Sequence, residues 1–180
     1  MRISTIGRWV LVVVASVCIG HEVRAEVATV EVQPAFAIPV TGHSRFGNGY
    51  GIAARLSYVP APEWQPFDVA VEADYACMDV SGSTDCWGRA LLGAGAGLMK
   101  WDRVQLRAYA MAGVDYIGEN KLGAAGLLSI GPRYVAGRLV AGAGVDVLYS
   151  YVHGVDTENG NFPDPTGTLI RIDASIGLRW

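Results

Sequence analysis

"TLIRIDASIGLRW" runs from Thr168 to Trp180, and its alternation decides how the rest of the chain is read. From Ile170 onward every second residue is apolar: Ile170, Ile172, Ala174, Ile176, Leu178 and Trp180. Between them stand Arg171, Asp173, Ser175, Gly177 and Arg179. A period of two sends successive side chains to opposite faces of an extended strand. The stretch therefore predicts a strand with one apolar face, closing on an aromatic, and one small or charged face.

The same pattern recurs upstream. Strands are predicted near 28–39, 49–59, 67–78, 86–98, 103–116, 123–134, 138–152 and 168–180, separated by Gly, Pro, Asn and Asp clusters. Several are longer than the usual ~5–6 residues. No helical period, low-complexity tract or domain boundary interrupts them. The expected fold is all-β: one up-and-down antiparallel barrel of eight strands, occupying residues 26–180.

The two faces differ in composition. One carries Val30, Val32, Phe36, Ile52, Leu56, Val69, Val71, Val114, Val145 and Val147, and no charge. The other carries the acids Glu31, Asp68, Glu72, Asp74, Asp115, Asp146 and Asp173. Its arginines are Arg55, Arg89, Arg107, Arg133, Arg171 and Arg179, with Gly, Ala and Ser between. Seven acids against six arginines suit the narrow inside of an eight-stranded barrel, provided they pair. A soluble lipocalin-like barrel alternates too, with its apolar face inward, so alternation alone does not orient the wall. Aromatics do. Tyr58, Trp64, Phe67, Trp101, Tyr134 and Trp180 fall at one set of strand ends; Tyr50, Tyr75, Trp87, Tyr116, Tyr149 and Tyr151 fall at the other. Two such girdles match the two interfaces of a bilayer, and the strands are long enough to cross one at a tilt. The barrel is expected to be transmembrane.

Composition agrees. Of 180 residues 51% are hydrophobic, 23 are Gly and only 17% are charged, against ~25% charged in soluble domains. Arg2 and Arg8 precede "WVLVVVASVCIG", followed by Val23-Arg24-Ala25. That is a basic start, a short apolar run and a small-residue cleavage site, so residues 1–25 read as a signal peptide cut after Ala25. Taking three arginines from 14 basic residues and Glu22 from 17 acidic ones leaves 11 against 16. With no basic patch, nucleic acid is not an expected partner. No cofactor is called for.

"LIRIDASIGLRW" resembles the C-terminal signal strand of bacterial outer-membrane proteins. The region 26–180 as a whole resembles the small eight-stranded class typified by OmpX, the opacity proteins and the transmembrane domain of OmpA. Many relatives end in Phe where Trp180 stands. The resemblance implies the outer membrane of a Gram-negative-type bacterium and contact with its lipid. It implies recognition by the barrel-assembly machinery through Ile176, Leu178 and Trp180. Both ends of the barrel then lie in the periplasm, with turns near 60–66, 99–103 and 134–138 on that side. Loops near 40–49, 77–86, 117–122 and 153–167 face outward, towards a partner the sequence does not name.

The remaining constellations are sparse. Cys77 and Cys86 flank "MDVSGSTD" on facing hairpin ends, and export favours a disulfide there. Neither Cys/His spacing nor the loop acids Asp156, Glu158 and Asp164 form a metal motif; the loop, which also holds Asn159 and Asn161, reads as solvated. Lipid A-modifying enzymes on such barrels place base and nucleophile on one strand face. Here Ser150 and His153 are three apart and fall on opposite faces, while His43 lies in another loop. "GAGAG" at 93–97 is strand interior, since no helix or Lys-Ser/Thr follows. Tyr109 lies on the charged face and is expected to fill the lumen. The expected role is structural or surface interaction rather than enzymatic. A narrow pore is the main alternative, with a lipid-modifying enzyme behind it.

Overall fold

A computed structural model describes residues 27–41, 46–80, 83–117, 121–152 and 167–180. Eight antiparallel strands close into a barrel in sequence order: β1 (Val27–Thr41), β2 (Phe46–Val59), β3 (Phe67–Val80), β4 (Ser83–Trp101), β5 (Val104–Ile117), β6 (Lys121–Ala136), β7 (Leu139–Val152) and β8 (Gly167–Arg179). Each expected strand is present and most extend further at one or both ends. The closure is β1 against β8, where Ala28 and Trp180 exchange backbone hydrogen bonds in both directions at 3.0 Å. Closure removes the open edge, so the backbone groups of the wall pair within it.

At one end of the barrel the connections are tight. β4 and β5 turn through Asp102 and Arg103, and β6 and β7 through Gly137 and Arg138. Asp102 (φ 49°) and Gly137 (φ 60°) take the left-handed conformation that two-residue hairpins demand, which Asp and Gly accept most readily. A short 3-10 turn, Pro62–Trp64, joins β2 to β3. This is the turn end; Thr41, Val80, Ile117 and Val152 end their strands at the other, loop end.

The register shows how far the strands slide. A row of partners starting at Thr29 passes Ser57, Ala70, Gly93, Met111, Leu127, Leu148 and Leu169, and re-enters β1 at Pro39, ten residues further along. Strands staggered this way tilt roughly 35–45° from the barrel axis, and eight of them leave an interior that side chains can fill.

Side chains divide as the alternation predicts. Outward residues are exposed, Ile172, Ile176 (63%), Val145 and Val147 among them, while Glu31, Glu72, Asp115 and Asp146 are almost fully buried. Apolar outside and charged inside is the reverse of a soluble protein. It discards the lipocalin-like orientation.

Two expectations about the wall need correction. Trp87 does not stand in the outer girdle; it is 6% exposed and turned into the lumen, with the Arg89 guanidinium 5.8 Å from its ring. Nor is the inner face only charged and small. Met111, Leu127, Leu148 and Leu169 are successive partners across β5–β8 and form an apolar row with Met78 and Leu91 nearby. An alternation count marks the outer face as uniformly apolar but does not forbid apolar residues within.

Candidate functional site

The charged lumen is organised around Arg171. Its guanidinium reaches Glu72 Oε1 at 2.7 Å and Asp74 Oδ2 at 2.8 Å across the lumen, and its Nε donates to Asp146 Oδ2 at 2.6 Å on the neighbouring strand. Arg55 meets Glu72 Oε2 through Nε at 2.7 Å and Nη2 at 2.6 Å. Arg89 bridges Asp74 at 2.9 Å and Asp115 at 2.7 Å, and Ser150 is buried on the same inner face. Three arginines are thus tied to four carboxylates. Asp173 is buried close to Asp146 and Arg171. Sites so dry demand pairing, because a charge stranded there has no water to replace its partner.

Towards the turn end a second cluster surrounds Tyr109. Arg55, Arg133 and Arg107 lie over or beside its ring at 4.4, 4.9 and 5.8 Å, and its hydroxyl donates to Asp68 Oδ2 at 3.4 Å. Arg107 reaches the same Asp68 oxygen at 2.7 Å. Arg133 pairs with Glu31 at 2.6 Å across a sequence separation of 102 residues, and Ser175 donates to the same oxygen at 3.1 Å. Gly95 makes this packing possible: a Cβ there would sit 2.1 Å from Asp68 Oδ1 and 2.4 Å from Tyr109 Cε1.

Of the thirteen charged residues expected on the inner face, eleven join these ion pairs. Arg107 belongs to the Tyr109 cluster and not to the Arg171 network. Arg179 is half-buried and lines a cavity at the turn end together with Lys100. Alternation alone assigns Lys100 to the wrong face. A bulge between Gly97 and Met99 resets the phase of β4, so that Met99 pairs with Leu106 and Lys100 with Gln105. That cavity has a volume of about 410 Å³, and Tyr109 is among its lining residues. A second void of about 10 Å³ beside Arg171 and Asp74 shares no lining residue with it.

Cys77 and Cys86 are direct cross-strand partners joined by a disulfide, S–S 2.03 Å, near the loop end of β3 and β4. Ile176, Leu178 and Trp180 all face outward, Trp180 being 57% exposed. Residues 1–25 lie outside the described residues. So do His43, His153 and the loop residues Asp156, Glu158, Asn159, Asn161 and Asp164.

No protein-family model and no curated protein matches this chain. Among solved structures, Neisserial surface protein A is similar at 13% identity and a TM-score of 0.58, over 85% of this chain and 94% of that one. The architecture is that of the small eight-stranded outer-membrane barrels. A major outer membrane protein from Thermus thermophilus aligns at 14% identity and a TM-score of 0.44, over 85% of this chain and 99% of that one. The Yersinia pestis outer membrane protein Ail aligns at 12% and 0.42, over 85% and 99%. At such identities the likeness to the Neisserial protein speaks for the fold alone.

Proposed function

We propose that this chain is an integral outer-membrane barrel whose loops carry a structural or cell-surface interaction role, with a lumen sealed by its own side chains. The observation that carries this reading is the inverted partition. A closed wall presents Val, Ile, Leu and aromatic residues outward and buries its arginines and carboxylates within. Only a hydrocarbon surrounding makes that arrangement favourable over the whole wall. The turn end would then face the periplasm and the longer loops the exterior. The named neighbour is itself a surface protein, which fits this role without establishing it for this chain.

A heat-modifiability gel on membrane fractions tests the reading. A folded barrel migrates differently before and after boiling and stays with the outer membrane; a soluble exported protein would not. A single-channel measurement in a planar bilayer addresses the pore alternative: steady conductance steps would replace the sealed-lumen reading. Lipid A whose mass changes when the protein is expressed would replace it with an enzyme.

The reading includes recognition of β8 by the assembly machinery. Removing Trp180 should slow insertion and leave precursor in the periplasm while sparing barrels already inserted. Insertion at normal yield and speed would remove that role from Ile176, Leu178 and Trp180.

A further inference from the structure

A surface role leaves the turn-end cavity without a purpose. Its volume of about 410 Å³ falls within the ~300–1,000 Å³ of small-molecule sites. Its lining is unbalanced. Lys100, Arg107, Arg133 and Arg179 face it, against the carboxylates of Glu31 and Asp68. Both carboxylates are engaged, Asp68 by Arg107 at 2.7 Å and Glu31 by Arg133 at 2.6 Å. Among the described residues no carboxylate pairs with Lys100 or Arg179. Two cations are therefore left over in a basin with low-dielectric walls, where their field is focused rather than dispersed. The basin also has an apolar side: Val135 and Val140 line it, and the Tyr109 ring sits at its inner end.

We infer that the turn-end mouth of the barrel binds a small organic anion. Its phosphate, carboxylate or sulfonate is drawn by the excess charge of Lys100 and Arg179, and its apolar body rests against Val135, Val140 and Tyr109. The ligand enters and leaves by the same opening, because the Tyr109 cluster and the Arg171 network fill the lumen beyond it. The anionic group belongs either to a free solute or to the headgroup of a lipid in the surrounding leaflet; the recognising chemistry is the same.

The test uses the full-length barrel refolded into phosphatidylcholine nanodiscs, with fluorophenyl phosphate and neutral fluorophenol as ¹⁹F-observed probes. Saturable binding of the phosphate, absent from empty discs and from fluorophenol, is the expected result. Lys100→Gln combined with Arg179→Gln should weaken it about tenfold, the scale of one or two charge-assisted hydrogen bonds. Val135→Trp, which fills the cavity and leaves the charges in place, should abolish it. Heat-modifiability of each variant shows that the barrel has formed, and Lys100→Gln alone, at an exposed position, serves if the double variant does not refold. Displacement of the probe by phosphatidylglycerol in the disc marks a headgroup as occupant; undiminished binding marks a free anion. Phosphate binding no stronger than to empty discs, or unchanged by both the charge and the cavity-filling variants, overturns the proposal.

Discussion

Arg171 and Arg179 share a strand and a face, yet they live in opposite electrostatic surroundings. In the middle of the lumen three arginines serve four carboxylates, and Arg171 alone holds three of them. At the turn-end mouth four cations face two carboxylates, and those two are already engaged by Arg107 and Arg133. The same residue types act as internal staples in one region and as uncommitted charge in the other. The deciding quantity is the number of carboxylates that the stagger of the strands brings within reach. A buried pair is weak evidence of net stability, since desolvation offsets much of the attraction, but breaking one is costly because a charge is left behind.

The comparison is broken most directly by Arg171→Met. Glu72, Asp74 and Asp146 would lose a shared partner in a buried site. A loss of about 3–5 kcal/mol is expected in denaturant unfolding of the lipid-refolded barrel. A loss below about 1 kcal/mol would mean that the middle of the lumen behaves like a surface.

A second variant asks whether lumen and wall are as different as drawn. Ile172→Arg, on the outward face near the middle of β8, should cost about 2–4 kcal/mol in lipid if it lies at the bilayer midplane. In a soluble barrel the same change at an exposed position would pass almost unnoticed, so a neutral result would undo the membrane reading.

Gly95→Ala sharpens the comparison at the boundary between the regions. Its Cβ would drive into Asp68 and Tyr109, so about 1–3 kcal/mol of overpacking strain is expected, together with altered fluorescence of the Tyr109 environment. Gly97→Ala two residues on should be nearly neutral, because its Cβ would meet only Pro66, at ordinary contact distances from 3.5 Å. Equal effects at both positions would show that Tyr109 is not held as tightly as its packing requires. The smallest effect belongs to Arg179→Met. With no carboxylate to strand, it should move the unfolding midpoint by the equivalent of about 0–1 kcal/mol.

Much of this was legible in the residues alone. The strand count, the up-and-down order and the outward placement of Ile172, Ile176 and Trp180 follow from a period of two and from aromatics gathered at strand ends. So does the set of inner-face charges, because Arg and Asp are too costly to leave facing hydrocarbon. The mixed inner face was less legible. Leu127 and Leu148 sit on it without disturbing the alternation outside, and Trp87 mimics a girdle residue by its position near a strand end. Lys100 was hidden by a bulge, which shifts phase at a point where Gly97 and its neighbours carry no signal.

The sequence by itself therefore determined the wall: which residues form strands and, through alternation, which face of each meets lipid. Only the closed tertiary structure decided the pairs. Arg133 finds Glu31, and Arg171 finds Glu72, across separations of about a hundred residues, because a barrel with a ten-residue stagger lays strands across from one another that share no local signal. The surplus charge at the mouth has the same origin. Local pattern places a charge on a face, but only the stagger and the bulge at Gly97–Met99 fix which other charges stand at its height.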